Sequence, residues 1–170
     1  MNNAMLKRSF LIVLALVSIQ ATCNYTFKDV SIPPEVKTVS VNYIENRARY
    51  INPQLSPQLT DKLRQKITGQ TRLTIINGDE AHYDIGGYIT DFSVNTSGIS
   101  GKEASSNNLN VTVHIIFKNR LDEKKNFETD ITRNFPFSAS LSFTDAQNRL
   151  MDDILKNISD DIFNKIFSNW

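Results

Sequence analysis

The strictest pattern in the sequence is the alternation of apolar and polar side chains over residues 109–118. One set of alternate positions is apolar: Leu109, Val111, Val113, Ile115 and Phe117. The other set is mostly polar: Asn110, Thr112, His114 and Lys118. Consecutive side chains of a strand point to opposite faces, so the run predicts a strand in a sheet covered on one face and open on the other.

Two helices are predicted from apolar side chains that repeat every three or four residues. In the first, Ser56 is the expected N-cap, Pro57 the first helical residue and Gly69 the stop. Its apolar face consists of Leu59, Leu63 and Ile67. In the second, Thr144 and Gln147 have the spacing of a capping box. Its apolar stripe consists of Ala146, Leu150, Ile154, Ile158 and Ile162.

A long strand is predicted over residues 83–94, with a break in its pattern at Gly86 and Gly87. Paired glycines inside a strand indicate a bulge or a close backbone contact. Beyond the break, the spacing predicts that Tyr88, Phe92 and Val94 share one face. The stretch 97–108 is rich in Gly, Ser and Asn and is long for a hairpin, which predicts either a mobile loop or an interaction loop.

Three further strands complete the predicted sheet. The first contains Val39 and Val41, the second covers residues 72–76, and the last runs from Phe127 to Pro136, while residues 46–55 are a predicted polar loop. The resulting order is β-α-β-β-β-β-α. It predicts an α+β fold: a mostly antiparallel or mixed sheet of four to five strands, with two helices packed on one face.

The N-terminus has the pattern of an export signal. Lys7 and Arg8 precede an uncharged apolar run at residues 9–19, and translation from Met1 or Met5 preserves this pattern. A spanning helix needs about 20 apolar residues, so the run is too short to cross a bilayer. We therefore predict a signal peptide over residues 1–22.

Cys23 is the single cysteine, and it directly follows this signal. Bacterial lipoprotein signals place a cysteine there, which receives a diacylglycerol on sulfur and an acyl group on the new amine. A plain signal followed by an incidental thiol is the alternative, but a free thiol in an exported protein invites oxidation. We predict lipid attachment at Cys23, a tether over residues 23–35 and one α+β domain over residues 36–170.

Composition and motifs argue against several other classes. Nineteen basic and 18 acidic residues give a net charge of +1, so no basic excess supports nucleic-acid binding. A single cysteine excludes a disulfide framework within the chain and a Cys-based zinc site. We predict no enzyme, no metal and no cofactor.

For three weaker patterns we prefer a structural role over a functional one. His82 and Asp84 could belong to a triad, but the sequence has no nucleophile elbow. The pairs 152–153 and 160–161 are acidic but lie in a helical pattern, which favours a solvated face over calcium binding. Four basic residues could contact a lipid phosphate, but we prefer a charged hairpin turn that protects a sheet edge: Lys118, Arg120, Lys124 and Lys125.

The order and spacing of several segments resemble one known family. They are Cys23, Tyr25 and Phe27, the runs 31–41, 46–48, 52–56, 87–94, 126–128 and 161–165, and the final Asn169 and Trp170. Together they are similar to the lipopolysaccharide-assembly lipoprotein family (LptE), in a version with a relaxed lipobox. The likeness covers nearly all of the chain after the signal.

The resemblance implies a non-enzymatic role. It implies a lipid-anchored domain on the periplasmic side of the outer membrane that plugs a large β-barrel partner, the lipopolysaccharide-assembly barrel, and helps it to assemble. Lipopolysaccharide itself is a possible ligand, and Cys23 is the only functional residue that carries over. The alternative is a stand-alone periplasmic lipoprotein that binds a lipid or an envelope polymer by itself.

Overall fold

The computed structural model describes residues 32–96 and 106–168. Within these residues it has six strands and two helices. They are β1 (Thr38–Val41), β2 (Glu45–Asn46), α1 (Leu55–Gln70), β3 (Thr74–Ile75), β4 (Tyr83–Thr96), β5 (Ser106–Asn119), β6 (Phe127–Ser138) and α2 (Phe143–Phe167). The predicted α+β class is confirmed. The additional strand, β2, starts one residue before the segment that was predicted to be a polar loop.

The strands form one mixed sheet in the order β3-β1-β4-β5-β6, with β2 also paired to β4. The meander from β4 to β6 is antiparallel. By contrast, β1 is parallel to both of its neighbours, with Val39 opposite Ile75 on one side and Tyr83 on the other. The start of β1 therefore lies at the same end of the sheet as the start of β4 and the end of β5.

The core lies between one face of this sheet and the two helices. The alternation that predicted β5 is confirmed, because all five of its apolar side chains are buried. The helices contribute the fully buried side chains Leu59, Leu63, Ile67, Ile154, Ile158 and Ile162. Full burial of such a side chain stabilises the fold by about 1.5–3 kcal/mol, so this layer is the main source of stability.

Helix α1 differs from its prediction at both ends. It begins at Leu55, with Gln54 at the N-cap position, so Ser56 lies inside the first turn rather than capping it. The Gln54 amide donates instead to the side-chain oxygen of Asn52, at 2.9 Å. The helix continues through Gly69 and ends at Gln70, followed by the C-cap residue Thr71, whose amide donates to the Ile67 carbonyl. The predictions of a Ser56 cap and a Gly69 stop are therefore wrong.

Helix α2 is capped two residues earlier than predicted. The Ser142 hydroxyl oxygen accepts the Asp145 amide at 3.1 Å and donates its own proton to the Asp145 carboxylate at 2.7 Å. This reciprocal contact leaves Thr144 in the first turn, and the prediction of a Thr144 cap is wrong. Phe143 can begin the helix because Ser142 adopts an extended backbone.

The bulge in β4 lies between Ile89 and Asp91, not at the paired glycines. Thr90 is the extra residue, so Tyr88 faces the open side of the sheet while Phe92 is buried in the core. The prediction that these two rings share a face is therefore wrong. The alternative reading of Gly87, a close backbone contact, is confirmed, because a Cβ there would collide with the His114 carbonyl oxygen.

Candidate functional site

A polar patch covers the centre of the open sheet face, around His114. The Nδ1 atom of His114 lies 2.7 Å from Asp130 Oδ1, and its Nε2 atom lies 3.3 Å from Glu128 Oε2. Tyr88 is the neighbour on β4, with ring centroids 5.0 Å apart. Hydrogen bonding to Asp130 is the main cause that raises the pKa of His114, and Glu128 adds to it against the opposing effect of desolvation.

The patch continues across β4 to β2. The Arg47 guanidinium stacks over the Tyr88 ring at 4.2 Å and pairs with Glu45 at 2.8 Å. On the other side, the hydroxyl groups of Thr112 and Thr132 are hydrogen-bonded at 3.0 Å. This face therefore presents charged and hydrogen-bonding groups that are held by contacts with one another.

The structure does not bring the residues of the weak triad pattern together. His82 Nδ1 accepts the backbone amide of Lys37 at 3.0 Å. The Asp84 carboxylate accepts the side-chain amide of Asn42 at 2.8 Å. Each side chain therefore holds a neighbouring backbone or loop in place. Their contacts support structural roles.

The acidic pair 160–161 of α2 also has structural partners. Asp160 binds Lys66 of α1 at 2.6 Å, and Asp161 binds the Arg133 guanidinium of β6 at 2.7 Å. These ion pairs connect α2 to the other helix and to the sheet. Over residues 32–96 and 106–168, His, Cys, Asp and Glu form no group of three that could hold a metal ion.

The basic residues near the β5–β6 turn lie at the end of the sheet where the chain enters the domain. Arg120 lies 3.8 Å from Asp79, and Lys125 lies 3.8 Å from Asp122, as in a charged hairpin turn. The entering chain is fixed at this same end by Arg72, whose guanidinium donates to the Ile32 and Pro33 carbonyls at 2.8 and 2.7 Å.

A cleft of about 640 Å³ opens at the opposite end of the sheet. Its lining combines aromatic, aliphatic and polar side chains: Arg49, Tyr50, Asp91, Phe92, Ser93, Val94, Asn107, Phe137, Leu141 and Phe143. Three rings form its floor, with centroid distances from Tyr50 of 4.8 Å to Phe143 and 5.9 Å to Phe92. We call it the aromatic cleft. The sequence did not predict it, because the bulge at Thr90 decides which way Phe92 faces.

Buried amides hold Tyr50 in position at this cleft. The Gln147 side-chain nitrogen donates to the Tyr50 hydroxyl at 3.4 Å, and its oxygen accepts from Asn52 at 3.3 Å. Asn52 and Gln147 are both more than 90% buried. The contacts join the loop before α1 to the first turn of α2, so the ring is preorganised.

Comparison with known families decides the identity of the domain. The family model described as LptE, Lipopolysaccharide-assembly, matches residues 36–166. The chain belongs to the LptE family. This confirms the resemblance seen in the sequence. LptE proteins are non-enzymatic, so the prediction that this chain is not an enzyme is also confirmed. None of the curated proteins matches the chain.

Several solved structures are similar to this LptE chain. Protein XCC0632 from Xanthomonas campestris has a TM-score of 0.51 at 10% identity, covering 81% of this chain and 90% of its own. A minor lipoprotein from Acinetobacter baumannii has a TM-score of 0.46 at 17% identity, covering 78% and 96% respectively. Rare lipoprotein B from Shewanella oneidensis has a TM-score of 0.44 at 14% identity, covering 76% and 90% respectively. Only the first has a TM-score above 0.5, so it alone supports the fold, and at 10% identity it supports nothing further.

Some predicted features of this LptE chain lie outside the described residues. They include the signal over residues 1–22, the lipid site Cys23 and most of the tether. Of the predicted loop at 97–108, residues 106–108 are described, and they begin β5. In the part of the chain that is described, neither helix is long and apolar enough to cross a membrane.

Proposed function

We propose that this chain is an outer-membrane lipoprotein subunit of the lipopolysaccharide transport and assembly translocon. In this role it plugs a large β-barrel partner from the periplasmic side and assists the assembly of that barrel. Membership in the LptE family over residues 36–166 is the observation that carries the proposal.

The open face of the sheet supports this role. The lumen of a large membrane barrel is polar, whereas its outer surface is apolar. A plug therefore needs polar side chains on the surface that meets the lumen. The patch around His114 and Tyr88 provides such a surface, because its charged groups are exposed and can exchange water for the polar groups of a lumen.

Cys23 is the proposed point of membrane attachment. A diacylglycerol on its sulfur and an acyl group on its amine would give stable anchoring, which one acyl chain alone does not provide. Arg72 supports this arrangement, since it fixes the end of the tether to the domain through two backbone carbonyls. The tether is thereby held against the folded domain at the point where it enters.

Native purification tests the proposal. The chain is tagged at its C-terminus and extracted from membranes in a mild detergent. We expect a much larger barrel protein to co-purify in a one-to-one ratio, and depletion of the chain to lower the amount of folded barrel. A solitary chain that carries its own lipid or envelope polymer would instead support the stand-alone binding lipoprotein.

The anchor is tested separately by Cys23→Ala, with Cys23→Ser as a second variant that lacks the thiol. Both variants should be processed incorrectly and should lack the acyl mass on intact-protein mass spectrometry. If wild-type protein carries no acyl chains, the lipid site is wrong, whereas co-purification of the barrel still decides the translocon role.

A further inference from the structure

The aromatic cleft leaves apolar surface in water beside an unpaired cation. Tyr50, which lines the cleft, is 41% exposed, and Ile51, the next residue in the chain, is 62% exposed. Arg49 also lines the cleft, and within residues 32–96 and 106–168 it has no ion pair or hydrogen bond. The apolar floor would gain free energy by contact with an apolar group, and Arg49 would gain by contact with an anion.

The cleft is already shaped for a ligand. Gln147 fixes the Tyr50 hydroxyl, and the Tyr50 ring packs against Phe92 and Phe143. A rigid aromatic floor loses little conformational entropy on binding. Buried aromatic side chains also tend to contribute most of the binding energy at interfaces. The aromatic rings of the cleft are therefore preorganised for binding.

The polar side of the cleft favours a peptide over an acyl chain. Asp91, Ser93 and Asn107 line it, and the Asp91 carboxylate accepts from the Ser93 hydroxyl at 2.9 Å. A carboxylate acceptor can receive the backbone N–H groups of an extended peptide. An acyl chain has no donor, so it would leave these polar groups without partners.

The position of the cleft also favours a protein partner. The chain enters the domain beside Tyr83, whereas Phe92 and Val94 lie toward the far end of β4. At about 3.3 Å per residue, the distance along the strand from Tyr83 to Val94 is about 35 Å. The cleft therefore lies far from the anchored end.

We propose that the aromatic cleft docks an extended segment of the barrel partner. The segment places a large apolar side chain against the three rings and a neighbouring carboxylate beside Arg49. This inference rests on the proposed function and specifies one contact of the translocon.

Site-specific crosslinking tests the contact in cells. A photoreactive benzoylphenylalanine replaces Tyr50, and the same residue replaces the exposed Lys62 of α1 as the control position. After irradiation we expect an adduct with the barrel at position 50, mapped to a peptide with an acidic residue beside an aromatic or branched apolar one. An adduct with lipid alone, or equal barrel adducts at both positions, would overturn the proposal.

Charge reversal tests the role of Arg49. The variant Arg49→Glu should lower the amount of co-purified barrel by about tenfold, because a like charge faces the partner carboxylate. The control Lys62→Glu makes the same kind of change at an exposed site and should leave the yield unchanged. Equal thermal unfolding of the two variants checks that folding is intact.

The outcomes separate the two proposals. If wild-type protein retains no barrel, the translocon role fails. If wild-type protein retains the barrel and Arg49→Glu retains it equally, only the docking inference fails. Binding of the fluorescent fatty acid cis-parinaric acid to wild-type protein, lost in Tyr50→Ala, would assign the cleft to a lipid and would also overturn the inference.

Discussion

The His114 ring bridges two carboxylates of the neighbouring strand, with Nδ1 lying 2.7 Å from Asp130 Oδ1, directly opposite it. The pKa of His114 is raised above its ordinary value of 6.5, chiefly by the hydrogen bond to Asp130. A raised folded-state pKa means that protonation of this ring favours the folded protein. The contribution is fully present below about pH 6.5 and is lost as the pH rises through the folded-state pKa.

We therefore expect the wild-type melting temperature to fall more between about pH 5.5 and about pH 8 than that of His114→Gln. Glutamine cannot become charged, so the change in melting temperature of His114→Gln between the two pH values reports only the other titrating groups. Differential scanning calorimetry at both pH values checks this. Identical pH dependence of the two proteins would contradict the role given to the ring.

Gly87→Ala should destabilise the domain by about 2–3 kcal/mol. The added Cβ would meet the His114 carbonyl oxygen, and a backbone atom of the central strand pair cannot move aside easily. Urea unfolding followed by circular dichroism measures the free energy of unfolding. A loss below about 0.5 kcal/mol would show that β4 and β5 can separate locally at this point.

Gly69→Ala is the matched glycine substitution with the opposite expected sign. Gly69 lies within α1, and nothing lies within 4 Å of the position of an added Cβ. Alanine restricts the unfolded chain and favours the helix, so we expect the free energy of unfolding to rise by about 0.5–1 kcal/mol. The same urea titration applies. Destabilisation here would instead mean that the helix ends at Gly69, as the sequence suggested.

Ser142→Ala should cost about 1 kcal/mol, because it removes the oxygen that accepts the Asp145 amide. Thr144→Ala tests the alternative cap, and it should change the free energy of unfolding by less than about 0.5 kcal/mol. Thermal unfolding of the two variants under identical conditions distinguishes the caps. The reverse order of effects would place the start of α2 at Thr144.

Gln147→Leu should cost about 1–3 kcal/mol, since it leaves the buried amide of Asn52 without its acceptor. Asn148→Leu makes the comparable change at the next, exposed position and should have little effect. Because Gln147 also holds the Tyr50 hydroxyl, the Gln147→Leu variant should in addition show altered near-ultraviolet circular dichroism.

Much of the fold could be predicted from periodicity. The alternation from Leu109 to Phe117 and the apolar stripe of α2 were correct because burial on one face imposes a period on the sequence. Helix ends were less predictable. Ser56 and Thr144 are suitable N-cap residues, but neither caps its helix. The Asn52 side chain instead accepts the amide of Gln54, the N-cap residue of α1, and Ser142 caps α2; this choice depends on how the preceding loop packs.

The candidate site was less accessible to sequence reasoning. The partners of His114 lie 14 and 16 residues away, and the register of a hairpin decides that they meet. Tyr50, Phe92 and Phe143 come from three separate parts of the chain, and the bulge at Thr90 reverses the expected facing of Phe92. In the sequence each of these aromatic residues lies within or beside a polar stretch. That placement did not indicate which rings would pack together.

Strand β1 lies between β3 and β4, so both of its pairing partners come later in the chain. During synthesis the segment around Val39 must wait until residues beyond Ile85 have emerged before both of its edges are satisfied. Strand β3 can cover one edge of β1 earlier, but the other edge keeps a row of unpaired backbone groups, open to mispairing, until β4 is present. The first strand to be made is thus completed only by the fourth, so the pairing of β1 cannot finish before β4 is present.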